Sequence, residues 1–144
     1  MRFFFYGTLL DSDVMALVIG RRLPPGAFAP ASLPGQARRR VQDASYPIAV
    51  RDRRDAIHGK VVGGLSARDV ERLSAYEGPR YRIASLKVRE KGTLSTVAVF
   101  APREERFQPT SGAWSLTLWQ RHDKRRFIGG LRRAFSGRPA YSTR

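Results

Sequence analysis

The sequence predicts an α+β domain: a small, mixed, barrel-like sheet with flanking helices and a helical C-terminal extension. Three observations predict it. Short apolar strand-like runs recur as far as Ala101, helical periodicity interrupts them irregularly, and the pattern turns helical from Ser111. A helix after every strand would have indicated a doubly wound parallel sheet, and that regularity is missing. With 144 residues of which 42% are apolar, the chain is long enough to bury the core of one domain.

Taken in order, Arg2 to Tyr6 is short, aromatic and bounded by Gly7, as a buried strand would be. Asp11 or Ser12 caps a helix running to about Ile19, with Val14, Leu17 and Val18 on its inner face. Pro24, Pro25, Gly26, Pro30, Pro34 and Gly35 divide the next stretch into loop and short strand pieces. Ile48 to Val50 and Ile57 to Val62 read as strands, the second interrupted by Gly59. Tyr81, Ile83, Leu86 and Val88, followed after Gly92 by Leu94 to Ala101, form an antiparallel pair closed by Pro102. In the extension, Trp114, Leu118 and Trp119 share a face, Phe127, Leu131 and Phe135 repeat at steps of four, and Gly129-Gly130 marks a bend. The organisation expected is a domain over residues 1–108 and a basic helical extension over 109–144 packed on it.

The most informative stretch lies between these strands. Leu65 to Pro79 carries a complete helix start and a complete stop: Ser66 as N-cap, Asp69 to close a capping box, Leu65 and Val70 as staple, Gly78 and Pro79 as terminator. Its apolar stripe passes through Val70 and Leu73, and the same spacing carries it to Glu77. A carboxylate is thereby placed on the face that looks inward. Burial without a partner favours the neutral acid and raises the pKa, as a general base working near neutrality requires.

Composition removes several chemistries. There is no cysteine, so disulfides, thiolate metal sites and a catalytic thiol are excluded. His58 and His122 are the only histidines, too few for a three-histidine metal site, and His58 reads as structural. No metal site of either kind is therefore expected. The apolar start is broken by Gly7 and Thr8 and meets Asp11 and Asp13, unlike a signal peptide, and no run reaches the roughly 18 apolar residues of a membrane span. A cytoplasmic address without membrane association follows as the default.

The formal charge is +15. Clusters at Arg38-Arg39-Arg40 and Lys124-Arg125-Arg126 are suited to phosphates, so a nucleic-acid partner is one reading; a solvated, arginine-biased surface is the favoured one.

Tyr6-Gly7-Thr8-Leu9 is a strand-to-helix connection. Glycine allows close approach of a ligand to the backbone, and amides at a helix start make an anion site. Asp11 and Asp13 oppose an anion there unless they cap the helix or hold an ammonium group.

Together, Tyr6-Gly7-Thr8-Leu9 and Leu73-Ser74-Ala75-Tyr76-Glu77-Gly78-Pro79-Arg80-Tyr81 resemble the gamma-glutamylcyclotransferase-like family, which includes AIG2-like proteins and gamma-glutamylamine cyclotransferases. That family carries a Y-G-[ST]-L turn after its first strand and later a helix ending L-x-x-[YF]-E-G-x-x-Y. The resemblance spans about residues 2 to 102. It implies a cupped barrel in which the turn and Glu77 face one cavity. It also implies a cofactor-free cyclisation of a small γ-glutamyl substrate to 5-oxoproline with release of an amine. Glu77 would be the acid/base, with Tyr6, Gly7, Thr8, Leu9 and Tyr81 contacting substrate. Three positions depart from the family pattern: Phe100 and Val62 where tyrosine is expected, and Lys60 where an acidic residue is common. They motivate one alternative, a binding module that keeps the pocket without the chemistry; the charge of +15 and the basic tail motivate another, a basic nucleic-acid-associated protein. The leaving amine and the oligomeric state are not legible.

Overall fold

A computed structural model describes residues 1–42, 44–103 and 109–135 of the chain. Its elements are β1 (Phe3–Phe5), α1 (Ser12–Ile19), β2 (Phe28–Val41), β3 (Pro47–Val62), α2 (Ala67–Glu77), β4 (Tyr81–Glu90), β5 (Thr93–Pro102), β6 (Pro109–Ala113), α3 (Leu116–His122) and α4 (Lys124–Phe135), with 3₁₀ turns at Thr8–Leu10 and Pro25–Ala27.

The strands close into a five-membered mixed barrel in the order β3-β1-β5-β4-β2, with β2 returning to β3 and β6 added on β2. β1 is antiparallel to β3, with Phe4 opposite Val61, and parallel to β5, with Phe4 opposite Val99. β4 and β5 pair over their full length from Tyr81–Pro102 to Glu90–Thr93. They are joined by Lys91-Gly92, both at positive φ (47° and 79°), the two-residue hairpin turn whose twist suits antiparallel strands. The small α+β barrel with flanking helices is therefore as the sequence predicts.

Alternation along β1 explains why its sequence is aromatic throughout. Phe4 and Tyr6 point into the barrel with Leu33, Ile57, Val61, Val88, Val97 and Val99. Phe3 and Phe5 point outward beneath the helices, in a second core with Val14, Val18, Leu73, Tyr76, Phe100, Trp119 and Leu131. Each such side chain contributes about 1.5–3 kcal/mol by leaving water. β1 also passes so close to β3 that a side chain at Gly59 would collide with the Phe5 carbonyl and the Phe4 ring. The glycine read as an interruption of that strand is what allows the crossing.

Several local expectations are corrected. The stretch from Phe28 to Val41 is one 14-residue strand, not loop and strand pieces. Pro30 and Pro34 remain within it, opposite Lys60 and Ala56, and Gly35 (φ 78°) takes up a register shift. β2 meets β4 only at Ser32–Arg89, so prolines on that edge interrupt few ladder bonds. Likewise Pro47 to Val62 is a single 16-residue strand. The helical tail breaks at Asp123 and not at Gly129-Gly130, which lie inside α4. Buried Ile128 and Leu131 flank the glycines and hold that helix against its lower propensity, about 1 kcal/mol per glycine. Finally, Leu118 is 53% exposed while Trp114 and Trp119 are buried, because Trp114 precedes the Ser115 N-cap and is off the helical period. In α1 the buried face is Val14, Met15, Val18 and Ile19, with Leu17 partly covered.

The extension does not turn helical at Ser111: Pro109–Ala113 form strand β6 by pairing with β2, the first helix starts at Leu116, and the extension is bound to the barrel. β6 lies on β2 through Arg39–Ala113 and Val41–Pro109. Trp119 packs edge-on against Phe127 at 5.3 Å, and Phe127 reaches Tyr76 of α2 at 6.4 Å. The expected boundary at residue 108, the Phe135 side chain and the tail after it lie outside the described residues.

Candidate active site

α2 is built as its sequence specifies. The Ser66 hydroxyl accepts from the Asp69 amide at 3.1 Å, and the Ser66 amide donates to the Asp69 carboxylate at 2.9 Å. Burial alone would lift the Asp69 carboxyl. Arg21, then the Ser66 amide, outweigh it and hold the pKa below the ordinary value. At the other end Gly78 (φ 79°) stops the helix, its amide donating to Ser74 O at 2.9 Å. Glu77 is thus fixed as the last helical residue, and it is half-buried rather than enclosed.

The turn after β1 meets α2 directly. The Thr8 hydroxyl and the Tyr76 phenol are hydrogen-bonded at 2.6 Å in the buried interior. Leu10 and Asp11 spend their amides on Gly7 O and Thr8 O, both at 3.0 Å. The amides of Gly7, Thr8 and Leu9 precede the first bonded position and have no partner within the turn.

Between turn and helix lies a pocket of about 380 Å³, counting its open mouth. Tyr6, Gly7, Thr8, Leu9, Glu77 and Tyr81, the six residues singled out in the sequence, all line it. Phe4, Phe5, Tyr46, Pro47 and Phe100 complete the wall. A side chain at Gly7 would press on the Pro47 ring at 3.2 Å.

Tyr46 and Pro47 were not legible as wall residues: they are far from the turn in sequence, and a tyrosine before a proline signals only extended backbone. Phe100 stacks on Phe3 at 5.0 Å and presents an apolar surface. Lys60 is exposed beneath the Phe28 ring and Val62 is buried opposite Phe3, so neither of those departures touches the pocket. His58 is exposed on β3.

The acidic residues beside the turn are neutralised from the far end of the chain. Asp11 caps α1 through the amides of Asp13 and Val14, and also accepts from Gln120 at 2.9 Å. Lys124 stands 2.8 Å from both Asp11 and Asp13. Burial would raise the Asp11 pKa, but Lys124, Gln120 and the Val14 amide overcome it and lower it. Lys124 and Arg22 hold Asp13 at about 2, and the two carboxylates raise the Lys124 ammonium in turn. The repulsion an anion would meet at this helix start is thereby offset.

The basic clusters are also partly committed. Arg38 donates to Tyr6 O, Arg39 pairs with Asp52, Lys124 with the two aspartates and Arg126 with Asp123. Among the described residues there is no group of three metal-ligating side chains, and no helix is long and apolar enough to cross a membrane.

Comparison with known proteins places this geometry in a family. Residues 3–116 match the family model described as gamma-glutamyl cyclotransferase, AIG2-like. AIG2-like protein A of Arabidopsis thaliana is 28% identical over 127 residues, 87% of this chain and 75% of that protein. AIG2-like protein C of the same plant is 25% identical over 137 residues, 94% and 78% of the two chains. Among solved structures, an Arabidopsis thaliana protein determined in solution superposes with a TM-score of 0.64 at 27% identity, over 92% of this chain and 88% of that one. A gamma-glutamyl cyclotransferase superposes with a TM-score of 0.56 over 75% and 68% of the two chains; at 16% identity it speaks to the fold alone. By the match over residues 3–116, the chain belongs to the gamma-glutamyl cyclotransferase, AIG2-like family.

Proposed function

We propose that this protein is a cyclotransferase acting on small γ-glutamyl compounds, with Glu77 as general acid and base. The observation that supports it most is that Glu77 and the Gly7–Leu9 turn, distant in sequence, line the same pocket. In this reading Glu77 takes a proton from the substrate α-ammonium. The freed amine attacks the γ-carbonyl carbon, forming the ring C–N bond. The bond to the leaving amine then breaks as Glu77 returns the proton to it. The products are 5-oxoproline and a free amine, and no water is consumed.

Acid–base assistance of this kind contributes about 10²–10⁴-fold, and the pocket adds the benefit of holding nucleophile and carbonyl in near-attack geometry. The amides of Gly7, Thr8 and Leu9 would hold substrate oxygen. Tyr6 and Tyr81 would shape the walls around the glutamyl stem, and Thr8, fixed on Tyr76, would keep the turn in place.

The apolar Phe100 wall favours a second reading, a pocket that binds γ-glutamyl compounds without converting them. Incubation with a panel of γ-glutamyl amino acids and γ-glutamyl amines, with detection of 5-oxoproline, separates the two. Release of 5-oxoproline supports the cyclotransferase; thermal stabilisation by panel members without product supports the binding module.

A further inference from the structure

Arg38 is the most confined arginine near the pocket. It lies on β2, opposite Ala49 of β3. Its guanidinium stands over the Trp114 ring at 5.2 Å, and Nη1 donates to Tyr6 O at 3.0 Å and to His58 O at 3.4 Å. Its Nε is buried and has no acceptor among the described residues. Burial lowers its pKa, yet guanidinium keeps its charge at any physiological pH. Trp114 is itself anchored, donating its indole N–H to Ser45 O at 2.8 Å, beside the wall residue Tyr46. Arg38 is therefore held by the C-terminal segment on one side and bonded to the pocket turn on the other.

The acceptor matters. Tyr6 C=O and Gly7 N–H are two ends of one peptide unit, and in a trans peptide they point in opposite directions. A cation on the oxygen polarises the unit and strengthens the N–H as a donor. It also adds a fixed positive charge behind a group that lines the pocket.

We infer that Arg38 is a positioning residue for carboxylate selectivity: through the Tyr6–Gly7 peptide it makes the turn prefer a ligand with a free α-carboxylate over its neutral amide. The inference rests on the cyclotransferase reading, because the carboxylate meant is that of the γ-glutamyl group. It gives the extension a functional part, since Trp114 clamps the guanidinium. The partner group on the ligand is an anion, so a neutral carboxamide of the same shape isolates the effect.

The experiment measures binding of 5-oxoproline and of 5-oxoprolinamide to the full chain, alongside release of 5-oxoproline from γ-glutamyl substrates. The wild type should prefer the acid by about tenfold or more, the range of one charge-assisted hydrogen bond. In Arg38→Met the preference should collapse to about threefold or less, with KM rising more than kcat falls. Arg38→Lys keeps the charge without the planar fork and should retain an intermediate preference. If Arg38→Met does not fold, Arg38→Lys decides: selectivity equal to wild type overturns the inference. An active wild type whose Arg38→Met variant loses affinity for acid and amide equally overturns it too, since the arginine is then only structural. A wild type that forms no 5-oxoproline and binds neither ligand overturns the cyclotransferase reading and this inference together.

Discussion

The Thr8 hydroxyl and the Tyr76 phenol meet at 2.6 Å inside the protein, joining the turn after the first strand to the residue that precedes Glu77. The bond couples the two halves of the pocket, one supplied by backbone and the other by a helix end. Tyr76→Phe should therefore destabilise the protein by about 1–3 kcal/mol, the cost of leaving a buried polar partner unsatisfied. Thr8→Val with Tyr76→Phe should cost less than the sum of the single changes, because neither partner is then orphaned. Urea unfolding of the four proteins measures the coupling.

Stability should fall steeply in acid. Asp11 and Asp13 have folded-state pKa values below the ordinary 3.8, Asp13 at about 2. The stability they contribute is complete above 3.8 and is lost as pH falls through the folded-state values. Lys124 works in the opposite sense: its raised pKa gives a contribution complete below 10.5 that disappears as pH rises through the folded value. Lys124→Met should cost about 1–3 kcal/mol near neutrality by leaving the Asp11 carboxylate under-compensated, and should flatten the acid slope. Denaturant midpoints across the acid range check both signs.

Gly59→Ala should be poorly tolerated. The added methyl meets the Phe5 carbonyl and the Phe4 ring, both held in the barrel, so about 1–3 kcal/mol or more is lost. Gly26→Ala is the control, since nothing lies within 4 Å of its added methyl, and should change stability by no more than about 0.5 kcal/mol. Melting temperatures of the two variants distinguish a requirement of the crossing from a general cost of replacing glycine.

What the sequence disclosed was mainly local. The caps of α2, the tight β4–β5 hairpin and the glycine turn are encoded in contiguous residues, and each forms where it was read. The long β2 and β3 strands were obscured because the prolines and glycines inside them are tolerated through pairing with distant chain. Tyr46, Pro47 and the Lys124 contact with Asp11 depend on the barrel closing and on α4 folding back, and no periodicity encodes either. The interior stripe carried Glu77 to the pocket, yet its place at the helix end leaves it half-buried, a consequence of the Gly78 stop.

The most direct test of the proposed chemistry is turnover of a γ-glutamyl substrate by Glu77→Gln, with folding verified by an unchanged melting profile. The substitution keeps the shape of the side chain and removes its capacity to accept and return a proton. Release of 5-oxoproline should fall by about 10²–10⁴-fold while substrate still binds. A folded variant that releases 5-oxoproline at the wild-type rate would contradict the assignment of Glu77.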